Sequence, residues 1–432
     1  MKPQQFFQRL ILTVMLLVQY ATASCSASNE IKFLRPSLEA IPAEYFGLHI
    51  HRIAGTTPWP SIPFGAWRLM DAYVAWPSLE PVKGCWNFEM LDKYVSYATD
   101  HRVELLLPLT FTPTWASARP TERSAYVSGN AAEPDDIEDW RNYVRTVALR
   151  YKGRIRHYEI WNEPNLSRFF SGSVDQMINL AREAYAILKE VDSNNVIVSP
   201  AATQGDKGLA WLESYFSKGG GNYADVIGYH FYVTPRPPEA MVPIALKVRD
   251  LMAKYGQENK ALWNTESGWL IGSLEQKVNP AVVGFPKKWT PLSAAEASAY
   301  VSRSLILGWA AGIRRYYWYA WDNLEMGLIE PNSKKLKAPA LAFKKTSEWL
   351  KAANIQYCQL WSRDIWVCHL VKNNRSAWLA WSTSDTQALT LPSGWGAKEI
   401  ETLNGRSFAI NGADITLLPA PMLIKTDMMP WE

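Results

Sequence analysis

Apolar positions along this chain alternate between two textures. Runs of strand length over 44–51, 66–71, 103–110, 156–165, 196–199, 225–232, 261–269 and 315–322 are interleaved with segments of helical spacing. The run 103–110 is the continuous apolar kind expected of a parallel strand buried on both faces. Helices are predicted over 87–100, 135–152, 174–191, 209–216, 239–255 and 293–311. In the first, Phe88, Leu91, Tyr94, Val95 and Ala98 share a face; in the second, Trp140, Tyr143, Val144 and Val147 do. Eight strands, each paired with a helical segment, predict an α/β fold: a (β/α)8 TIM barrel over 44–352, whose functional groups belong at the C-terminal strand ends. From about residue 357 the pattern shortens to alternating strands at 364–371, 377–382, 388–391 and 415–418, separated by turn signals such as Asn373-Asn374 and Asn404-Gly405. A small C-terminal β-sandwich over 353–432 is expected, with 25–43 as a linker that lends it a strand near 30–38.

A length of 432 residues suits one large domain plus a small one. The first 24 residues read as a signal peptide: Lys2 and Arg9 precede the apolar run 10–18, and Ala21-Thr22-Ala23-Ser24 offers a cleavage site. Export to a periplasmic or extracellular compartment follows, and Cys25 directly after the site admits a lipid anchor on an outer-membrane lipoprotein as the alternative to plain cleavage. Removing Lys2 and Arg9 from a formal charge of +4 leaves 4 − 2 = +2, which calls for neither nucleic acid nor an anionic membrane surface. The 21 Trp and 20 Tyr carry more information, because flat aromatic faces suit sugar C–H faces as well as cores. Of the four cysteines, Cys358 and Cys368 flank a hairpin and are expected to bridge it; Cys85 is then free and buried, or paired with Cys25.

Two of the strands end in a carboxylate. The run 156–165 stops on Asn162, Glu163 and Pro164, and Pro164 can neither donate to a ladder nor leave Glu163 in helical geometry. About a hundred residues later Trp263-Asn264-Thr265-Glu266 ends a second strand the same way. Two carboxylates on strands four and seven of one barrel are what acid/base and nucleophilic chemistry on an acetal requires. A rival reading takes His49 and His51, which share a strand face, with His230 and Asp322 as a metal site; it leaves Glu266 without a role and finds no ligand on strand five.

The motifs Glu159-Ile160-Trp161-Asn162-Glu163-Pro164-Asn165 and Asn264-Thr265-Glu266-Ser267-Gly268-Trp269 resemble those of the retaining glycoside hydrolases of clan A. Within that clan the chain is similar to glycoside hydrolase family 39 and its exopolysaccharide-cleaving relatives. Supporting parts are Arg68, the loop 76–84, Thr112-Pro113-Thr114-Trp115 and Gly228-Tyr229-His230-Phe231-Tyr232. The resemblance implies an O-glycoside hydrolase without cofactor or metal, with Glu163 as acid/base, Glu266 as nucleophile and Asn162 on the 2-hydroxyl of the reacting sugar. Arg68 is expected to keep Glu266 charged and Tyr232 to hydrogen-bond it. His51, Trp115, His230 and Trp321 are expected to contact substrate, with Trp321 or Trp318 as the sugar platform. An endo-acting enzyme on an exported polysaccharide is expected; the alternatives are an exo-acting, β-xylosidase-like enzyme and a non-catalytic glycan-binding or assembly protein.

Overall fold

The structure, a computed structural model, describes residues 33–277 and 289–431. The leader, its cleavage site and Cys25 lie outside the described residues. Eight parallel strands close a barrel: β1 (Phe46–His49), β2 (Ala66–Arg68), β3 (Glu104–Leu109), β4 (His157–Ile160), β5 (Val196–Val198), β6 (Val226–His230), β7 (Ala261–Ser267) and β8 (Ile313–Trp318). Closure is made by Val198 beside Val226 and by Trp318 beside Leu48. Among the described residues, seven helices longer than one turn follow strands two to eight: α1 (Glu89–His101), α2 (Ile137–Arg150), α3 (Val174–Val191), α4 (Gly205–Ser217), α5 (Met241–Lys254), α6 (Ala294–Ala310) and α7 (Ala338–Leu350).

Two expectations need correction. The strand β1 has no helical partner, because Pro58, Pro60 and Pro63 strip donors from the connection to β2. The helix α7, opened by Pro339 in its first turn, supplies a closing layer that the periodicity reading passed over. Elsewhere local chemistry explains the boundaries. Ser173 with Gln176 and Ser293 with Glu296 form capping boxes that start α3 and α6. Pro200 interrupts β5, and the strand resumes as Ala202–Thr203 beside β6.

The barrel interior is layered. At the bottom Arg315 pairs with Glu104, and its guanidinium lies 4.3 Å from the centre of the Trp263 ring. Above come Ala66, Leu106, Val198, Val226 and Tyr317, an apolar plug that closes the barrel to water. At the top the inward positions turn polar: His49, Arg68, Glu159 and Thr265 are all buried.

The C-terminal part adds β9 (Asn354–Ser362), β10 (Ile365–Lys372), β11 (Arg375–Ser382), β12 (Gln387–Thr390), β13 (Glu399–Thr402), β14 (Ser407–Ala409), β15 (Asp414–Leu417) and β16 (Met422–Lys425). Six of these, with Phe33–Leu34 paired to the β9 edge, make a seven-stranded antiparallel sheet; β12 and β15 form a two-stranded ladder. Leu389 and Leu417 of the ladder share a core with Val367, Ala380 and Ile424 of the sheet. The β10–β11 hairpin turns on Asn373 and Asn374, both at positive φ (51° and 59°), which asparagine tolerates. Cys358 lies opposite Cys368 and the two are disulfide-bonded. Cys85 is exposed rather than buried: it sits in the turn it closes with Val82, outside the barrel wall.

Barrel and sheet meet at a buried ionic contact. Glu239, ahead of α5, accepts from Arg303 Nε of α6 at 2.8 Å and from Trp381 Nε1 of β11 at 3.0 Å, and Arg303 is 2% exposed. Removing the acid strands a buried guanidinium, a loss of about 3–5 kcal/mol. Glu239→Ala is therefore expected to lower the melting temperature strongly, and Glu239→Gln, which keeps an acceptor, to lower it less. Equal melting temperatures for Glu239→Ala and wild type would show that this contact holds nothing together.

Candidate active site

At the end of β4 the backbone leaves regular strand geometry. Trp161 and Glu163 take positive φ (63° and 46°), uncommon for residues with side chains. Neighbouring strands hold that geometry: Trp161 N–H donates to Leu109 O at 2.9 Å, and Glu163 N–H to Ala201 O at 3.0 Å, just before β5 resumes. The Glu163 carboxyl is thereby brought against His230 of β6, whose Nδ1 is 3.0 Å from Glu163 Oε1.

A bulge prepares β7. Tyr229 pairs with Asn264 and His230 with Glu266, so Thr265 is an extra residue on β7. Strict alternation would send Thr265 and Glu266 to opposite faces; with the bulge both turn inward. Thr265 donates its hydroxyl to Glu159 Oε1 at 2.8 Å, and Glu266 reaches the mouth.

Arg68 ties these pieces together. Fully buried on β2, it donates from Nε to Glu159 Oε2 at 2.5 Å, from Nη1 to Glu266 Oε2 at 2.8 Å and from Nη2 to Asn162 Oδ1 at 2.8 Å. Burial opposes its charge, but Glu159 and Glu266 outweigh that and hold its pKa above the usual value. The second Glu266 oxygen accepts from Tyr232 Oη at 2.9 Å.

The electrostatics follow from burial. Desolvation pushes the Glu163 carboxyl up to about 7, against the opposing charges of Arg168 and Arg68. It does the same to Glu266, also to about 7, although Arg68 pulls the other way. The arginine pair is thus present as expected, but it does not carry Glu266 below the ordinary carboxylate range. His230 is driven down to about 4 by burial, so its contact with Glu163 is a hydrogen bond between neutral groups near neutral pH, not an ion pair. A carboxylate oxygen from each of Glu163 and Glu266 lies within 4.8 Å of the other, so the two titrate as a coupled pair. Glu266 receives two donors that favour its anion, one of them cationic. Glu163 has neutral partners, the His230 ring and the Thr203 hydroxyl, and no cationic donor, so the proton that remains is assigned to Glu163.

Of the residues singled out in the sequence, Arg68, Glu266, Asn162 and Tyr232 form one hydrogen-bonded group and Glu163 and His230 a second, the two brought together by the approach of the carboxyls. His51 and Trp321 lie at the ends of β1 and β8, buried, with His51 Nε2 and Trp321 Nε1 unpaired. Trp115 stands apart: its Nε1 donates to Glu80 O at 2.9 Å, and its ring packs edge-on against Trp76. Trp318 stacks on Trp269 outside the barrel, where strand alternation puts it, rather than under a sugar. The metal set His49, His51, His230 and Asp322 does not assemble, since Asp322 accepts the backbone N–H groups of His51 and Arg52. Among the described residues the trio close enough together to hold an ion is Glu163, His230 and Glu266.

Four residues escaped the sequence reading. Glu159 could have been found, as an acid two positions from His157 on one strand face. Asp71, Tyr126 and Tyr319, which share hydrogen bonds at the mouth, had no motif to mark them.

Fold and site together define a barrel with two carboxyls opposed across its C-terminal mouth. Residues 67–264 match the family model Glycosyl hydrolases family 39. Among curated relatives, a beta-xylosidase of Caldicellulosiruptor saccharolyticus is 30% identical over 156 residues, covering 34% of this chain and 31% of the relative. A beta-xylosidase of Geobacillus stearothermophilus is 25% identical over 166 residues, covering 36% and 32%. The chain thus spans about a third of the length of the curated relatives it matches. In fold it is similar to a family 39 glycoside hydrolase of Bacteroides cellulosilyticus WH2, with a TM-score of 0.70, 17% identity and coverage of 90% of this chain and 82% of the other. A family 39 beta-xylosidase of Caulobacter crescentus gives a TM-score of 0.62 at 15% identity, covering 90% and 98%.

The raised carboxyl has a consequence for stability. Between pH 4.5, the ordinary value, and about 7, folded Glu163 keeps a proton that the unfolded chain has lost. The group is neutral to stability below pH 4.5 and costs progressively more as pH rises to 7, up to about 3 kcal/mol. Glu163→Gln removes that cost, so its melting temperature relative to wild type is expected to climb between pH 5 and pH 8. A difference independent of pH would refute the shift.

Proposed function

We propose that the protein is a retaining glycoside hydrolase that cleaves β-glycosidic bonds by double displacement. The observation that carries this reading is the approach of Glu163 and Glu266 oxygens to within 4.8 Å. Retaining enzymes hold their carboxyls ~5–5.5 Å apart and inverting ones ~6.5–9.5 Å, to admit a water. On this reading Glu266, oriented by Arg68 and Tyr232, attacks the anomeric carbon while the proton on Glu163 passes to the departing oxygen, so one C–O bond forms as the other breaks. Esterification removes the negative charge of Glu266, which lowers the pKa of Glu163 and turns it into the base. It then takes a proton from water, whose oxygen displaces Glu266 from the sugar and restores both groups. Asn162, whose Oδ1 is spent on Arg68, offers its NH2 to the sugar 2-hydroxyl. His51 Nε2 and Trp321 Nε1, buried without partners, are further groups for sugar hydroxyls, and His230 keeps the proton of Glu163 in place.

The sequence reading favours internal cleavage of an exported polysaccharide, on its leader-like first 24 residues and aromatic abundance. The second reading is exo-action on β-xylosides, supported by the names of two curated relatives.

A panel of β-linked polysaccharides and phenyl β-glycosides, with product sizing and the anomer of the first product read by NMR, tests both points. Retention is expected; an inverted first product would overturn the mechanism. Glu266→Gln is expected to lose at least about 10³-fold in kcat. Glu163→Gln should lose heavily on phenyl glycosides and far less on dinitrophenyl glycosides, whose leaving groups need no proton. The wild-type kcat/KM should fall as pH rises through about 7, where Glu163 gives up its proton.

A further inference from the structure

The reaction described above leaves Asp71 without a part. It lies three residues beyond Arg68, past the end of β2, in the left-handed region at φ 56°. One of its oxygens accepts from Tyr126 Oη at 2.5 Å, the other from Tyr319 Oη at 2.6 Å. The two tyrosines reach it from different sides. Tyr319 follows β8, and its ring centre is 5.1 Å from those of both His49 and His51. Tyr126 comes from the tip of the β3–α2 connection and packs on Phe111. The neighbouring Ala125 N–H donates to Arg168 O at 2.8 Å, on the loop that follows Glu163. Asp71 therefore links β2, β8 and the β3–α2 connection at the barrel mouth.

That linkage has a directional consequence. With both phenolic protons spent on Asp71, Tyr126 and Tyr319 keep only lone pairs, so they can accept from a sugar hydroxyl but not donate to one. There is an electrostatic consequence too. Glu163 is faced by Arg68 at the end of β2, Asp71 beyond it, His230 of β6, Glu266 of β7 and Arg168 of its own loop. Glu266 is neutralised by Arg68, whereas among the described residues Asp71 has no cation within ion-pair distance. Its charge favours the protonated forms of both Glu163 and Glu266, the latter already held by Arg68, and stabilises the positive charge that builds on the sugar in the transition state.

We propose that Asp71 is a positioning residue of this reaction, fixing the Tyr126 and Tyr319 hydroxyls as acceptors at the sugar site and setting, through its charge, the pH at which Glu163 stops delivering its proton. The inference rests on the hydrolase reading. Its test is the pH profile of kcat/KM for wild type, Asp71→Asn, Asp71→Glu, Tyr126→Phe and Tyr319→Phe, on the phenyl β-glycoside of the sugar that the panel identifies. Asp71→Asn is expected to move the alkaline limb down by roughly 0.5–1 pH unit and to cut kcat. Asp71→Glu, which keeps the charge but displaces the hydroxyls, should hold the limb near its wild-type position and raise KM. The two phenylalanine variants should raise KM without lowering the limb. An Asp71→Asn limb that coincides with wild type sinks the electrostatic half, and so does a tyrosine variant that lowers the limb as far. Unchanged KM in both tyrosine variants sinks the positioning half. If Asp71→Asn does not fold, the limb and KM of the other three variants decide. A wild-type protein that turns over no glycoside fails the underlying reading instead, which is a different result from an active enzyme indifferent to Asp71.

Discussion

The top of the barrel depends on one buried guanidinium. Arg68 spends Nε, Nη1 and Nη2 on three different acceptors that come from β4, from the turn after it and from β7. A lysine has the charge but not the planar fork, and cannot address three directions at fixed angles. A charge with no exposure is tolerated only when it is paired and hydrogen-bonded, so Glu159 and Glu266 are as necessary to Arg68 as it is to them. The apolar layer below, with Ala66 and Leu106 among its members, keeps water from entering from beneath and strengthens every interaction above it. A single ion cluster thus both completes the barrel interior and aims two of the groups at its mouth.

Regular strands could not present those groups. Three departures from strand geometry do so: the positive φ values at Trp161 and Glu163, the bulge at Thr265 and the break at Pro200. They support one another. The break at Pro200 lets the chain resume at Ala201 and Ala202, and Ala201 O receives the N–H of Glu163. The bulge in turn frees Thr265 to brace Glu159, the acid that holds the far side of Arg68. Backbone irregularity at this site is shared between adjacent strands, so its cost is borne by the ladder rather than by one residue.

The sequence makes some of this legible and hides the rest for physical reasons. Glu163 and Glu266 stand out because a carboxylate that ends an apolar strand has little structural use. Arg68 stands out because a cation on a buried strand must have acid partners. Period-two alternation also carries Glu159, on the face of His157, and an outward Trp318, but Glu159 was passed over and Trp318 was expected as a sugar platform. It could not find the bulge at Thr265, since an extra residue in a ladder leaves no compositional mark. Tyr126 was beyond reach altogether: it sits in a connection of more than twenty residues, and only the folded chain puts it against Asp71. The absent helix after β1 was legible in Pro58, Pro60 and Pro63. The alternation of the remaining units masked it.

The electrostatics also revise the simplest picture of such a site, in which one carboxyl is made acidic and the other basic by separate environments. Here one environment acts on both, because burial raises Glu163 and Glu266 alike to about 7. What differs is the set of donors: a guanidinium and a phenol for Glu266, a neutral imidazole and a hydroxyl for Glu163. Burial therefore ensures that the pair holds a proton near neutral pH, and the donors decide which member holds it. Such an arrangement allows the roles to change during a reaction without any residue moving. Once the charge on Glu266 is consumed by a covalent bond, the reason for Glu163 to keep its proton is largely gone. The same buried pair that serves as acid in one half of a displacement is then ready as base in the other.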